Sequence, residues 1–181
     1  MTAFFTADLH LFHENVIKYC KRPFANIDEM HEGLISNWNS NVRPQDIVYI
    51  IGDVSFTKDM TLLEAVFNRL NGTKILICGN HDKHMLKYER FRALFQSIHQ
   101  MLEIKINNQN ITMCHYAMRV WNKSHYGALH LYGHSHGSMP DDPHSLSIDV
   151  GVDCHNYTPI SYDRVVEIMS NKQYKPVDHH K

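Results

Sequence analysis

Short apolar runs in the first half of the chain predict buried strands. They cover residues 3–7, 46–51 and 74–78, and each is nearly continuous instead of alternating with polar positions. Runs of this length are typical of strands that are covered on both faces. Residues 28–42 and 61–70 carry apolar side chains at helical spacing. Because strands and helices alternate along the chain, the pattern predicts a layered α/β fold.

The helix predicted at residues 61–70 has clear boundary signals. Thr61 followed by Glu64 is the pattern of a capping box, in which both side chains bond to the backbone at the start of a helix. Asn71-Gly72 predicts the end of the same helix, because these residues tolerate the left-handed backbone that often follows a helix.

The second half of the chain predicts further strands and one more helix. The strands are predicted at residues 98–106, 111–114, 128–132 and 145–150. The polar tetrad 107–110 predicts a hairpin turn between the first two. Ser161 predicts the cap of a helix at 161–169. Without a repeat, a linker or a low-complexity segment, we expect a single domain over residues 1–181.

Composition narrows the class of protein. The apolar share of 43% and the charged share of 20% are those of a globular chain and not of a disordered one. The net charge of -1 gives no overall indication of a nucleic-acid groove, although a local basic patch stays open. No apolar run has the roughly 18 residues that a membrane span needs. The N-terminus lacks the pattern of a secretory signal, and the four cysteines form no C-x-x-C pair, so we expect a cytoplasmic protein.

Metal-binding residue types follow the predicted strands. The chain has fifteen histidines, of which His179 and His180 are expected at the surface. Carboxylate, amide and imidazole groups come directly after five strand-like runs, where loops of an α/β sheet form sites. These groups belong to Asp8, His10, Asp53, Asn80, His115, His134 and His136. They suit divalent ions such as Mn, Fe or Zn, and their number fits two ions that share a carboxylate.

The series Asp-x-His, Gly-Asp, Gly-Asn-His-Asp, His and Gly-His-x-His, in this order, resembles the calcineurin-like metallophosphoesterase superfamily. The resemblance extends from residue 8 to residue 136, and the chain is similar to the small bacterial and phage phosphoesterases of that superfamily. It implies a layered β-sandwich of two mixed sheets flanked by helices, with the metal site at the carboxyl ends of strands. The stretch from Gly52 to Phe56 lacks the charged residue that many relatives carry two or three positions after Gly-Asp, which argues against a substrate contact near this motif and against kinship with the protein Ser/Thr phosphatase branch.

The resemblance also implies a role for each residue. Asp8, His10 and His136 would hold the first metal ion. Asn80, His115 and His134 would hold the second. Asp53 would bridge both ions, His81 would be the general acid, and Asp82 would orient His81. The reaction implied is hydrolysis of phosphate esters by a hydroxide that bridges two divalent ions.

We expect a small phosphate ester as the substrate, a phosphodiester first, and Mn as the metal, with Fe, Zn, Ni or Mg as alternatives. A phosphomonoesterase or nucleotide phosphatase and a nuclease would use the same site, and nucleic acid stays a substrate to be tested. A non-enzymatic scaffold is a further alternative, but every ligand position is filled. The sequence does not give the oligomeric state.

Several other residues have two readings. Arg119 is a candidate phosphate-binding residue, and an exposed salt bridge is the alternative. His13 could face the cleft, although surface exposure is favoured. Lys21-Arg22 could bind an anionic substrate or form a solvated turn. The segment 116–127 could be a lid or a stacking surface, with core packing favoured. Asp149 and Asp153 could orient ligating histidines, with a turn role favoured.

Overall fold

The protein contains two mixed sheets flanked by helices, as seen in a computed structural model that describes residues 1–178. His179 and His180 therefore lie outside the described residues. The strands are β1 (Ala3–Thr6), β2 (Ile47–Ile50), β3 (Thr73–Ile77), β4 (Ser97–His99), β5 (Met101–Ile106), β6 (Gln109–Cys114), β7 (Leu129–Tyr132), β8 (Ser147–Asp149) and β9 (Ile160–Ser161). The helices are α1 (Glu14–Tyr19), α2 (Ile27–Asn41), α3 (Met60–Phe67), α4 (Glu89–Arg92) and α5 (Tyr162–Ser170).

Within residues 1–178, the two sheets contain seven parallel strands, and the predicted ligand residues follow the carboxyl ends of five of them. The first sheet has the order β4-β3-β2-β1-β9, in which only β9 runs antiparallel. The second has the order β5-β6-β7-β8, with β6, β7 and β8 parallel. A parallel bridge between Ala7 and Gly151 links the sheets just beyond β1 and β8. The predicted fold class is confirmed.

The first sheet is buried on both faces, as the continuous apolar runs in its sequence predicted. Phe5 packs in one apolar cluster with Leu131 of the second sheet. Its neighbour Phe4 packs in the other cluster with Trp38 of α2 and Leu63 of α3. Because successive side chains of a strand point to opposite faces, the run of apolar residues in β1 supplies both clusters.

The prediction of a single strand at residues 98–106 is wrong, because this segment forms two strands. Residues 97–99 pair with β3 in the first sheet, whereas residues 101–106 pair with β6 in the second. The chain crosses between the sheets at Gln100, which is exposed. Apolar periodicity reports burial and not the partner strand, so it could not show the crossing. The hairpin itself is confirmed, although its turn is shorter and consists of Asn107 and Asn108, both with positive φ.

The two predicted helix caps have different outcomes. The cap at Ser161 is confirmed, since its hydroxyl accepts a hydrogen bond from the Arg164 backbone N–H. The capping box at Thr61 is wrong, because Asp59 is the cap and accepts from the backbone of residues 61 and 62. The Glu64 carboxylate pairs with the Arg90 guanidinium instead of returning to the start of α3. Within residues 1–178, none of the helices has both the length and the apolar character needed to cross a bilayer.

Candidate metal centre

The loops that follow the parallel strands bring the predicted ligand residues together. Asp53, which follows β2, lies between the others. Its Oδ2 is 3.6 Å from Nε2 of His10 and 3.5 Å from Nε2 of His115. The loops after β1 and β2 run side by side, with backbone hydrogen bonds from Asp8 to Gly52 and from His10 to Asp53. A carboxylate from the first sheet thus contacts imidazoles from both sheets.

The first group of potential ligands contains Asp8, His10 and His136. One potential ligand atom of each residue lies within 4.8 Å of those of the other two. The Asp8 Oδ2 atom accepts a hydrogen bond of 2.8 Å from the backbone N–H of His134. These are the residues that the resemblance assigned to one metal ion, and their donor atoms suit a divalent cation.

Two buried atoms in this group lack hydrogen-bond partners. Within residues 1–178, neither Asp8 Oδ1 nor His10 Nε2 is paired, although both atoms are buried. Leaving a buried polar atom without a partner costs about 1–3 kcal/mol, so unpaired atoms of this kind are rare in folded proteins. The Asp8 oxygen carries lone pairs that a cation would accept, and so does His10 Nε2 when the hydrogen of the ring is on Nδ1. The residues therefore fit a metal ion at this position.

The second group contains Asp53, His115 and His134, whose ligand atoms also lie within 4.8 Å of one another. Asn80 adds an amide oxygen, with its Oδ1 at 3.1 Å from His115 Nε2. The other ring nitrogen of His115, Nδ1, is 2.8 Å from the Ile51 carbonyl oxygen and donates to it. Nε2 is therefore the ring nitrogen that faces Asn80 and Asp53, and only the neutral imidazole has its lone pair there.

The pKa values of several residues in the two groups are shifted from their usual values. Burial raises the pKa of Asp8 from 3.8 to about 7. Burial also lowers the pKa of His10 from 6.5 to about 3, which keeps this imidazole neutral. For His115, burial alone would lower the pKa, but Asp53, the hydrogen bond to Ile51 and the charge of Asp8 together raise it to about 8. A site with these properties favours an added positive charge.

Five of the seven predicted ligands have a left-handed backbone. Their φ angles are 58° for Asp8, 51° for His10, 55° for Asp53, 70° for His134 and 47° for His136. Few residues other than glycine adopt this region, although Asp and His do so more often than most. Each such residue costs on the order of 1–3 kcal/mol, and strain of this kind clusters at functional sites.

The glycines that precede two ligands make room for other ligands. At Gly52, which has a φ of 88°, a Cβ atom would overlap the Nδ1 atom of His115. At Gly79, a Cβ atom would overlap the carboxylate and backbone of Asp53. The Gly-Asp and Gly-Asn motifs therefore reflect close packing between loops as well as turn conformation.

Asp82 connects two ligand loops and does not orient the His81 ring. Its carboxylate is fully buried. It accepts hydrogen bonds of 2.9 Å from the backbone N–H groups of Asp53, Val54 and Gly79. The prediction that Asp82 orients the His81 ring is wrong, because both carboxylate oxygens of Asp82 accept hydrogen bonds from backbone N–H groups. Asp82 instead positions the loops that carry Asp53 and Asn80.

Arg22 supports the first group from the protein interior. Its guanidinium binds both oxygens of Asp153 at 2.8 Å and also donates to the backbone carbonyls of Asp8 and Leu9. Asp153 Oδ2 lies 2.7 Å from Nδ1 of His136. Both readings of Arg22, as a substrate contact and as a solvated turn residue, are wrong because its side chain is fully buried.

The two acidic candidates near β8 have different roles. Asp153 orients the His136 ring, so the favoured turn reading is wrong for this residue. Asp149 accepts from the backbone N–H groups of Gly137 and Gly151, which is the turn role that was favoured.

A cluster of aromatic rings borders the site. The Phe56 ring lies 4.6 Å from that of His81 and 3.9 Å from that of His13, measured between centroids. His81 keeps 42% of its side chain exposed, and its Nε2 is 3.9 Å from Asp53 Oδ2. The favoured surface reading of His13 is wrong, because the ring is half-buried against Phe56 and His10. Burial lowers the pKa of His13.

Arg119 lies outside this cluster. It is exposed and lines a cavity of about 470 Å³ to which none of the seven predicted ligands contributes. Trp121, in the same segment, is buried and donates from Nε1 to the Ala128 carbonyl, as the favoured core reading of 116–127 required. Tyr126 is 80% exposed, however, so that reading does not hold for the whole segment. The phosphate-binding role of Arg119 stays a prediction.

Comparison with known proteins identifies the relatives of this chain. No known protein-family profile matches it. An uncharacterized protein of Methanocaldococcus jannaschii is 34% identical over 169 residues, covering 90% of this chain and 88% of the archaeal one. The chain belongs to the family of this archaeal protein. The Gene 66 protein of Mycobacterium phage D29 is 28% identical and covers 92% of this chain and 95% of its own.

A solved structure has the same fold. It is a protein of unknown function from Aquifex aeolicus, which superposes with a TM-score of 0.71 at 20% identity. The match covers 92% of this chain and 98% of that one. The two-sheet architecture is therefore shared over nearly the full length of both proteins.

Proposed function

We propose that this protein is a metal-dependent hydrolase of phosphate esters that prefers phosphodiesters. The observation that carries the proposal is the placement of Asp53 between two groups of potential ligands. A carboxylate shared in this way is typical of two-metal hydrolases. The motif order from Asp8 to His136, which resembles metallophosphoesterases, supports the same conclusion.

Seven residues would supply the donors for two ions. Asp8, His10 and His136 would hold one ion, Asn80, His115 and His134 the other, and Asp53 both. When bound, a pair of divalent ions polarises a phosphoryl oxygen and makes water a competent nucleophile near neutral pH. Nitrogen and oxygen donors without thiolate accept Mn, Fe, Zn, Ni or Mg, and we take Mn as the first choice.

His81 is suited to donate a proton to the leaving oxygen. Its backbone N–H donates to Asp53 Oδ1, which fixes the residue next to the shared carboxylate. Its ring is partly open to solvent, where a substrate can approach. A diester leaves as an alkoxide or phenoxide, and protonation of that oxygen lowers the barrier. A positioned general acid contributes about 10²–10⁴-fold to such a reaction.

The first experiment combines metal binding with a substrate panel. Metal-free protein is titrated with Mn²⁺, Zn²⁺, Ni²⁺, Fe²⁺ or Mg²⁺. It is then assayed on bis-p-nitrophenyl phosphate, p-nitrophenyl phosphate, nucleotides and single-stranded oligonucleotides. We expect two bound ions and faster hydrolysis of the diester than of the monoester. Asp53→Asn should lose the paired binding and the activity. Wild-type protein that binds no ion, or that binds two ions and hydrolyses none of these esters, contradicts the proposal.

The second experiment tests the role of His81. The variant His81→Ala should bind both ions as wild type does. Its turnover should fall more on a nucleoside diester than on a p-nitrophenyl diester, because p-nitrophenolate leaves without help from an acid. His84→Ala removes another exposed histidine of the same loop and is the matched control. Equal losses on both substrates would show that His81 is not the general acid.

A further inference from the structure

Three of the predicted histidine ligands differ in the group that lies next to their Nδ1 atom. His136 has the Asp153 carboxylate at Nδ1, and His115 has the Ile51 carbonyl. Either acceptor fixes a hydrogen on Nδ1 and leaves the Nε2 lone pair free. His10 has neither kind of partner. Its Nδ1 lies 3.1 Å from Nδ1 of His13.

A contact between two imidazole nitrogens requires that one donate and the other accept. If His13 donates, the only hydrogen of neutral His10 lies on Nε2, and that atom cannot bind a cation. If His10 donates, its Nε2 lone pair faces the position shared with Asp8 and His136. In the latter arrangement the buried Nε2, which has no hydrogen-bond partner within residues 1–178, has a lone pair available to a cation. The direction of this one hydrogen bond therefore decides whether His10 can be a ligand.

The surroundings of His13 fix its ring in place. The ring stacks on Phe56 with an interplanar angle of 17° and a centroid distance of 3.9 Å. The backbone N–H of His13 donates to the His10 carbonyl at 3.1 Å, so both residues belong to one tight turn. As the residue that precedes α1, His13 makes no side-chain bond to the start of that helix. Its ring is therefore oriented toward His10 and not used as a cap.

We propose that His13 is a positioning residue that accepts the Nδ1 hydrogen of His10 and so presents His10 Nε2 to a metal ion. The inference rests on the proposed function, since it assigns His13 to the first ion position. The proposal predicts different effects at the two ion positions. Loss of His13 should weaken binding at the position that includes His10 and leave the position that includes His115 unaffected.

Two substitutions of His13 distinguish the effect of its hydrogen-bond acceptor from the effect of its ring. In His13→Asn, the amide oxygen takes nearly the place of Nδ1 and can accept the same hydrogen. In His13→Leu, a side chain of similar size has no acceptor. Mn²⁺ binding by calorimetry should be about 10–100-fold weaker at one site in His13→Leu, with the other site unchanged. His13→Asn should bind both ions nearly as wild type, and His84→Leu is the control for loss of an exposed imidazole.

A measurement without metal gives an independent result. Long-range ¹H–¹⁵N spectra of the metal-free protein distinguish the two tautomers of each histidine, and a His10→Gln variant assigns the His10 signals. We expect the Nδ1–H tautomer of His10 in wild type and in His13→Asn, and a shift toward Nε2–H in His13→Leu.

The outcomes distinguish the two hypotheses. Full Mn²⁺ affinity in His13→Leu, or an Nε2–H tautomer in wild type, overturns the role of His13 and leaves the proposed function standing. Equal weakening in His13→Asn and His13→Leu overturns the acceptor role as well, since the ring alone would then matter. Wild-type protein that binds no ion defeats both.

Discussion

The buried pair of Arg22 and Asp153 allows a sharp test of how the site is supported. Their side chains are 0% and 6% exposed, and two hydrogen bonds of 2.8 Å join them. In Arg22→Met, the Asp153 charge stays buried with His136 as its remaining side-chain partner. Removing one member of a buried pair costs about 3–5 kcal/mol. In a chain of 181 residues this corresponds to a fall in Tm of roughly 6–20 °C.

The chain offers a control with the same chemistry at the surface. Arg69 and Glu32 form a bidentate pair with distances of 2.6 and 2.7 Å, but their side chains are 50% and 62% exposed. Water and salt screen such a pair, so Arg69→Met should leave the unfolding midpoint almost unchanged. The two pairs have similar bond geometry and differ in burial and in the two buried backbone carbonyls to which Arg22 also donates.

The assay is urea unfolding followed by tryptophan fluorescence, in the presence of a chelator because bound ions would stabilise the folded state. The double variant Arg22→Met/Asp153→Leu should recover part of the loss, since neither charge of the pair is then buried alone. If Arg22→Met and Arg69→Met unfold at the same urea concentration, the argument from burial is refuted.

Two further predictions concern residues that organise the backbone. Asp82→Asn should lower the free energy of unfolding by about 1–3 kcal/mol in the same urea assay, because an amide cannot accept all three backbone N–H groups; a change no larger than that of His84→Ala would contradict this. Hydrogen bonds from the Thr2 and Arg43 backbones lower the pKa of Asp46 below 3.8, so its contribution to stability is present above about pH 4 and is lost as the pH falls below that value. The Tm difference between wild type and Asp46→Asn should therefore shrink below pH 4, and a constant difference would show that the charge is not involved.

Local patterns in the sequence predicted which groups would meet at one edge of the sheets. Strand-like runs ending in Asp8, Asp53 and Asn80 predicted polar loops at one sheet edge, because parallel strands end there together. The strands β1 to β3 and the helices α2, α3 and α5 were also predicted, since burial on both faces of a strand or on one face of a helix leaves a clear pattern. Short elements such as α1, α4 and β9 have too few residues to show any period.

The tertiary structure alone decided what supports the ligands. Arg22 and Arg119 were both candidates for binding an anionic substrate, yet Arg22 is fully buried against Asp153 and Arg119 is exposed. Asp82 follows His81 but bonds to the loops of Asp53 and Gly79. His13 contacts His10 because a turn and the Phe56 ring bring the two imidazoles together. Residue type and strand position limit which groups can bind an ion. The orientation of those groups depends on contacts between segments far apart in the chain, which no local pattern contains.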